Sequence, residues 1–340
     1  MLKKVLKLGE LTLMKNYKEQ ERIRHTLVDL FWECTLTCNA HCKHCGSNAE
    51  KRKYEGELTT DEIKSAFKQI ANDMDASKIL INVTGGEPLV RKDLCEVMEY
   101  ATNELGFRWG MTTNGILLNE ENIEKLKKAN METISISIDG LRETHDDFRG
   151  VPGSYDIIIN NIKKLKEAGY VKHIQVTTVF NKKNIKQINE LYDVMLGLGL
   201  DSWRLVSMDP IGRANENDEL LLDGKEIKQI LDFIKLKKKD KRLMLEYGCP
   251  GFLGLDYERD VRGGYFYCRT GINIASILYN GDLFVCPNVP RIKKFIQGNI
   301  RVDNFKDVWD NKYKEFRDEN RTKCEECGKC EYWEYCLGGA

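Results

Sequence analysis

The stretch FWECTLTCNAHCKHC, from Phe31 to Cys45, joins the end of a strand-like segment to three closely spaced cysteines. The preceding segment, Thr26–Trp32, is short and typical of a buried parallel strand. Cys38, Cys42 and Cys45 follow it, with three and then two residues between them. Iron–sulfur clusters and structural zinc sites normally have four protein ligands. Three thiolates can hold three irons of a cubane, so this loop predicts a cluster whose fourth iron stays open to a small molecule.

Five more strand-like segments follow along the chain and alternate with amphipathic helices. The first helix begins with the capping-box residues Thr59 and Glu62, and another ends at Gly169. Six β–α units in a row predict a parallel α/β sheet or an incomplete barrel. The further strand-like segments are Ile79–Thr84, Phe107–Thr112, Thr133–Ile138, His173–Val179 and Ser202–Ser207.

Motifs rich in glycine and polar residues stand where these strands end. In parallel α/β folds the chemistry lies at the C-terminal ends of the strands. The shared location therefore indicates one site more strongly than any single motif does. In chain order the motifs are GGEP (Gly85–Pro88), TNG (Thr113–Gly115), Ser137, Asp139-Gly140 and DPIGRA (Asp209–Ala214).

Length, charge and cysteine use narrow the class of protein. The chain has 340 residues, enough for a large α/β barrel and a small appendix, and it carries 53 basic and 53 acidic residues. This balance gives no reason to expect a nucleic-acid partner. No run approaches the ~18 apolar residues of a spanning helix, and the charged N-terminus is unlike a secretory signal. We therefore expect a cytoplasmic protein without a membrane partner, in which most of the 12 cysteines are clustered and hold metal rather than form disulfides.

The spacing of Cys38, Cys42 and Cys45 at a strand end resembles that of the radical SAM family. The resemblance implies a [4Fe–4S] cluster whose open iron is chelated by the amino and carboxylate groups of S-adenosylmethionine (SAM). One electron from the cluster then cleaves the sulfonium and gives a 5′-deoxyadenosyl radical. A zinc site, a plain ferredoxin cluster and the alternative trio that begins at Cys34 are the competing interpretations. The family spacing selects the later three cysteines, and Cys34 is expected to pack at the strand end.

The GGEP motif resembles the family motif that holds the SAM amino group. Gly85 and Gly86 would let the backbone approach a ligand, Glu87 would accept a hydrogen bond from the ammonium, and Pro88 would stiffen the turn. The resemblance thus implies that all four residues contribute to SAM binding.

Three more residues match SAM-binding positions of the family. Ser137 and Arg149 resemble residues that bind the SAM carboxylate or ribose, and the two-pronged donor group of arginine suits a carboxylate. His44 stands at a position that is usually aromatic and adjacent to the adenine. The alternatives are an ordinary hydroxyl at a strand end for Ser137 and a surface arginine for Arg149. The Asp209–Ala214 loop resembles the family loop on the adenine side.

A second group of cysteines resembles the SPASM/twitch extension of radical SAM enzymes, which carries one or two auxiliary [4Fe–4S] clusters. The pattern lacks one ligand, because Ala340 stands where a cysteine is expected. Cys249 and Cys324 would then substitute, or one cluster would keep an open iron, or only one auxiliary cluster would form. A zinc ribbon is the competing interpretation for the last four cysteines. The matching cysteines are Cys268, Cys286, Cys324, Cys327, Cys330 and Cys336.

The resemblance implies a partial (β/α)6 TIM-like barrel with a small C-terminal iron–sulfur domain. We expect an N-terminal extension over 1–24, the barrel over 25–215, a helical linker over 216–265 and the SPASM/twitch domain over 266–340. The alternation of strands and helices is expected to end after residue 215.

The implied function is hydrogen abstraction from a substrate by a radical SAM oxidoreductase or maturase. A SPASM-type extension favours a peptide or protein that undergoes maturation, with a reductant such as ferredoxin or flavodoxin as a further partner. The alternatives are an enzyme that oxidises or rearranges a small molecule and a non-catalytic electron-transfer protein. The GGEP motif and Ser137 argue against the last, because electron transfer requires no SAM site.

Overall fold

A ten-stranded sheet organises the chain in a computed structural model, which describes residues 2–249, 251–318, 320, 321 and 323–336. The order of strands across the sheet is β10-β9-β8-β1-β2-β3-β4-β5-β6-β7. The strands are β1 Asp29–Glu33, β2 Leu80–Thr84, β3 Arg108–Thr113, β4 Thr133–Ser137, β5 His173–Phe180, β6 Ser202–Ser207, β7 Met244–Tyr247, β8 Ile274–Ile277, β9 Asp282–Phe284 and β10 Ile296–Asn299.

Seven consecutive strands, β1 to β7, each pair in parallel with the next. On the other side of β1, β8 also pairs in parallel, and β9 and β10 continue the sheet in antiparallel orientation. The parallel strands with their crossover helices form the predicted partial barrel, and the fold class is confirmed. Because these strands share one direction, their C-terminal ends meet at a single edge.

The helices follow the sequence patterns closely. Thr59 and Glu62 form the predicted capping box, since each backbone N–H bonds to the other's side chain at 3.3 Å or less. Gly169 ends another helix with a φ of +65°, as predicted. The helices are α1 Leu2–Arg24, α2 Thr60–Asp73, α3 Leu94–Asn103, α4 Glu120–Lys128, α5 Arg142–Arg149, α6 Ser154–Ala168, α7 Ile188–Leu198, α8 Gly224–Lys237, α9 Phe305–Asn311, α10 Glu325–Gly328 and α11 Trp333–Cys336.

The two faces of the parallel sheet differ in polarity. In β2 the side chains of Ile81 and Val83 are fully buried in the main core, whereas Asn82 between them is half-buried. In β4 the half-buried Ser135 points to the same face as Asn82 does in β2, and its hydroxyl lies 2.8 Å from that of Thr177. The helices therefore cover an apolar outer face, and a polar inner face is left for the interior of the partial barrel.

The alternation continues further than the sequence analysis expected. After β6, α8 leads into β7, and Met244 pairs with Ser202 in a parallel register. The expectation that the alternation ends after residue 215 is therefore wrong, and the segment 216–265 is not purely helical. The short β7 escaped notice because four residues carry too little periodic pattern. The bounds of the four predicted segments themselves remain predictions.

The N-terminal segment forms the long helix α1, which packs against the C-terminal cysteine region. The Lys18 ammonium is 3% exposed and donates to the carbonyl oxygens of Phe266 at 2.7 Å and Tyr335 at 2.6 Å. Burial lowers the pKa of Lys18 to about 8, and the thiolate of Cys336 opposes that shift. This buried cation ties the two ends of the described chain together.

Among the described residues, no helix has both the length and the apolar composition required to cross a membrane.

Candidate active site

The loop after β1 brings the three predicted cysteines into one small cluster. Cys38 and Cys42 are buried, Cys45 is half-buried, and all three pack with Ala40 and Ala49. Cys34 instead belongs to the main core and is fully buried there. The prediction that Cys34 packs at the strand end is confirmed, and the structure groups the later three thiols together.

Burial disfavours the thiolate form of Cys38 and Cys42. Burial raises the pKa of Cys38 to about 11, and burial also raises the pKa of Cys42 although the Arg149 guanidinium opposes it. Within the described ranges, no three His, Cys, Asp or Glu side chains converge as the ligands of a single metal ion would. Thiolates that each bind a different iron of one cluster need not converge on a point. The residues present therefore fit a cluster, whose irons would supply the missing positive charge.

Arg149 is a buried residue that contacts the cysteine loop. Its Nε donates to Asp139 Oδ2 at 2.6 Å, and its Nη1 donates to Cys42 Sγ at 3.6 Å. Burial opposes ionisation of both Arg149 and Asp139. The attraction between their opposite charges outweighs it, so the pKa of Arg149 is raised and the pKa of Asp139 is lowered. The interpretation of Arg149 as a surface arginine is wrong, and its contact with the SAM carboxylate stays a prediction.

His44 lies flat against a neighbouring aromatic ring. Its imidazole stacks on Phe148 with ring centroids 4.5 Å apart and an interplanar angle of 1°. Burial lowers the pKa of His44 to about 4, so the ring is neutral near pH 7. Its Nδ1 atom is buried and has no hydrogen-bond partner among the described residues. A planar neutral ring with an unsatisfied nitrogen fits a purine neighbour, and adenine binding by His44 stays a prediction.

The two glycines of GGEP pack directly on the cysteine loop. Gly86 N–H donates to Thr35 O at 2.7 Å, and Glu87 N–H donates to Thr37 O at 3.0 Å. A Cβ at Gly85 or Gly86 would collide with the backbone oxygen of Thr35 or Thr37. The sequence analysis reserved this space for a ligand, whereas the structure fills it with the cysteine loop. Any contact of these glycines with SAM remains a prediction.

Glu87 connects the loops that follow β2 and β3. Its carboxylate is fully buried and accepts hydrogen bonds from Thr113 Oγ1 at 2.7 Å, Asn114 N at 2.8 Å and Leu89 N at 3.1 Å. Burial raises its pKa, and these donors counteract the rise. Pro88 is buried at the start of a short 3₁₀ helix. The TNG motif thus supports the Glu87 carboxylate through Thr113 and Asn114. Binding of the SAM ammonium by Glu87 stays a prediction.

The loop after β6 supports the cysteine loop from the opposite side. Arg213 is buried and donates to Cys42 O at 2.9 Å and to Ala49 O at 3.0 Å. Gly212, at a φ of +62°, leaves room for the backbone of Cys45. Asp139 and Arg213 are site residues that the sequence analysis did not select, although both stood in motifs that it noticed. Ser137 ends β4 half-buried and opposite Thr177, and its ligand contact is untested.

Cys95 packs against the main core, and the seven cysteines of the C-terminal part form two groups. Cys249 follows β7, and its pKa is raised to about 12 by burial and by the nearby thiols of Cys268 and Cys286. Cys324, Cys327, Cys330 and Cys336 lie together in the segment that carries α10 and α11, where Cys327 N–H donates to Cys324 Sγ at 3.4 Å. The fold thus adds Cys249 to the first auxiliary group. Ala340, where a further ligand was expected, lies outside the described residues.

A cavity of about 200 Å³ lies between the first cysteine loop and the first auxiliary group. Its wall combines residues from several strand ends and from the segment after β9. The cavity thus borders both cysteine regions. Its polar and cysteine-region residues are His44, Gly46, Ser207, Asp209, Cys249 and Asn288.

Known families match both halves of this architecture. The model of the radical SAM superfamily matches residues 32–195, and that of the SPASM iron–sulfur cluster-binding domain matches residues 268–331. The chain is 31% identical over 328 residues to the AdoMet-dependent heme synthase of Methanosarcina barkeri (strain Fusaro / DSM 804), covering 90% of this chain and 89% of that protein. It is 29% identical over 324 residues to the mycofactocin maturase MftC of Mycolicibacterium smegmatis, covering 91% and 77%.

Among solved structures, the fold is similar to that of SuiB from Streptococcus suis. The structure bound to SAM superposes with a TM-score of 0.70 at 20% identity, covering 93% of this chain and 73% of SuiB. The structure bound to the precursor peptide SuiA gives a TM-score of 0.68 at 21% identity, covering 93% and 72%. At this level of identity the likeness concerns the fold.

Proposed function

The chain belongs to the radical SAM superfamily and carries a C-terminal SPASM domain, and on that premise we propose that this enzyme matures a peptide or protein substrate. Its cofactors are a SAM-binding [4Fe–4S] cluster, SAM and auxiliary iron–sulfur clusters. When bound, SAM and the first cluster supply a 5′-deoxyadenosyl radical that removes hydrogen from a carbon centre.

The residues around the first cysteine loop have separable tasks in this proposal. Cys38, Cys42 and Cys45 would hold the cluster, and Arg213 keeps their loop in shape through its bonds to backbone carbonyls. Arg149, whose Nη1 is 3.6 Å from Cys42 Sγ, would orient the SAM carboxylate. His44 would pack beside the adenine. Together these residues would hold SAM next to the cavity.

In this proposal the residues that line the cavity between the two cysteine regions determine which substrate binds. None of the described residues that line it is Lys or Arg, and Ser207 and Asn288 offer neutral donors and acceptors. Hydroxyl and amide groups match the N–H and C=O groups of a peptide backbone. The relationship to a protein named a maturase supports the same substrate class.

A second candidate is a tetrapyrrole substrate. It is favoured by the 31% identity to a protein named AdoMet-dependent heme synthase. Tetrapyrroles with carboxylate side chains bind best where arginine or lysine is available to pair with them. The described wall of the cavity provides no such cation, so the peptide proposal is preferred.

The deciding experiment measures 5′-deoxyadenosine under anaerobic conditions with reconstituted protein, SAM and dithionite. The parent chain is compared with the Cys38→Ala/Cys42→Ala/Cys45→Ala variant, and formation in the parent alone is expected. Short peptides encoded beside the gene and iron-coproporphyrin III are then added in separate reactions, each labelled with deuterium. Transfer of deuterium from a peptide into 5′-deoxyadenosine supports the proposal. Transfer from the tetrapyrrole alone supports the second candidate. The same reaction with ferredoxin or flavodoxin in place of dithionite tests the predicted reductant.

A further inference from the structure

The carboxylates at the C-terminal edge of the barrel almost all have partners. Glu33 at the end of β1 pairs with Arg291. Glu87 accepts three hydrogen bonds, and Asp139 pairs with Arg149. Asp209 differs from them, because no hydrogen bond or ion pair from the described residues reaches its side chain. Its charge is therefore not used by any described side chain and is available to a ligand.

Asp209 lies in the wall of the substrate cavity. It follows β6 by two residues, and it shares the cavity with His44 of the first cysteine loop and with Cys249 and Asn288 of the auxiliary region. Asp209 is exposed, and partial desolvation of its carboxylate raises the pKa. No lining residue that the structure describes is Lys or Arg. Among the described residues, the negative charge in this wall therefore has no paired cation.

We propose that Asp209 is the subsite that recognises a cationic group of the substrate, either a lysine or arginine side chain or a free amino terminus. This rests on the proposed function in so far as the cavity receives a peptide. A positive group placed against Asp209 would be attracted by its unpaired carboxylate, and the concave wall would hold the two charges close together.

The proposal explains why the cavity wall includes an acid and no described Lys or Arg. A wall that carried its own cation would pair with Asp209 and leave no charge for a ligand. The Asp209 carboxylate also discriminates between substrates, because it would repel an acidic side chain bound at the same position. The subsite therefore selects basic peptide segments over acidic ones.

The test measures binding to the reconstituted, SAM-loaded protein by calorimetry. The probes are three blocked tripeptides, Ac-Gly-Lys-Gly-NH2, Ac-Gly-Gln-Gly-NH2 and Ac-Gly-Glu-Gly-NH2, used at millimolar concentrations. The parent is expected to bind the lysyl peptide about tenfold more tightly than the glutaminyl peptide, which corresponds to about 1.4 kcal/mol, and to bind the glutamyl peptide least. Asp209→Asn is expected to remove the lysyl preference. Asp193→Asn removes an exposed carboxylate from α7, and this variant is expected to retain the preference for the lysyl peptide.

Three results would overturn the proposal. The first is equal affinity of the parent for the lysyl and glutaminyl peptides. The second is a lysyl preference that survives in Asp209→Asn, and the third is its loss in Asp193→Asn. Binding is measured without reductant, so it does not depend on radical formation. Absence of 5′-deoxyadenosine with the lysyl preference intact would contradict the proposed function alone, and the opposite pattern would contradict the subsite alone.

Discussion

Arg149 donates to the carboxylate of Asp139 across 2.6 Å, and both side chains are buried beside the first cysteine loop. Asp139 also accepts from Val179 N at 2.7 Å and has His44 Nε2 at 3.8 Å. Asp139, just after β4, thus holds Arg149, which is expected to bind the SAM carboxylate. It also lies beside the imidazole of His44, which is expected to contact the adenine. The geometry of this pair leads to the first prediction.

Replacing Asp139 by Asn is expected to weaken both the fold and SAM binding. Loss of the charge leaves Arg149 as an unpaired buried cation, which typically costs about 3–5 kcal/mol of unfolding free energy. Urea unfolding measures this loss, and equilibrium dialysis with labelled SAM should show an affinity at least about tenfold lower, because the guanidinium is no longer oriented.

Asp147→Asn is the matched control for Asp139→Asn. Asp147 lies nearby on α5 and forms exposed ion pairs with Lys43 and Lys183. Surface pairs contribute about 0–1 kcal/mol. Equal losses in the two variants would show that the buried pair has no special role.

Two single substitutions distinguish the two competing sets of cluster ligands. Cys45→Ala is expected to remove the iron of the first cluster, whereas Cys34→Ala is expected to retain it, since Cys34 lies in the main core. Iron analysis and electron paramagnetic resonance of each reconstituted variant provide the measurement. Retention of the SAM-dependent cluster signal in Cys45→Ala together with its loss in Cys34→Ala would reverse the assignment.

Gly86→Ala is expected to destabilise the protein, because the new methyl group would meet the carbonyl oxygen of Thr37. Overpacking of this kind costs about 1–3 kcal/mol. Gly9→Ala is the control, since nothing lies within 4 Å of its added Cβ, and in the middle of α1 it should gain about 0.5–1 kcal/mol. Urea unfolding of both variants measures these changes in stability. An unchanged unfolding midpoint for Gly86→Ala would contradict the close packing of the GGEP loop on the first cysteine loop.

Acid stability should depend on the contact between Glu62 of α2 and Arg301 of the C-terminal region. Arg301 donates to Glu62 at 2.6 Å, and this bond, together with the Thr59 N–H, lowers the pKa of Glu62 to about 2. The folded-state pKa lies below the ordinary value of 4.5. The stabilisation is therefore complete above about pH 4.5 and is lost as the pH falls toward 2.

Glu62→Gln tests this window. Because the pair is partly exposed, its contribution near neutral pH is expected to be no more than about 1 kcal/mol. The difference in unfolding free energy between parent and variant should shrink as the pH falls from 4.5 to about 2. Glu99→Gln, which removes an exposed carboxylate from α3, should show no such trend. A difference that persists at pH 2 would exclude the ion pair as its cause.

Local patterns in the sequence determined the elements and the first cysteine site. The capping box at Thr59 and Glu62, the glycine that ends α6 and the loop Cys38–Cys45 each involve residues a few positions apart. Helix and strand periods and ligand spacing operate over the same short range. These features are therefore visible before the chain is folded, and so is the order of the β–α units.

The tertiary structure alone decided which distant residues meet. Arg213 reaches Cys42 across 171 positions in the chain, and Glu87 reaches Thr113 across 26. Cys249 joins the first auxiliary group only because β7 continues the sheet. Such contacts depend on strand order and on which side chains share the C-terminal edge of the barrel, and no local period records them. That no described side chain pairs with Asp209 is likewise a property of the folded edge, because pairing depends on everything that packs around the carboxylate.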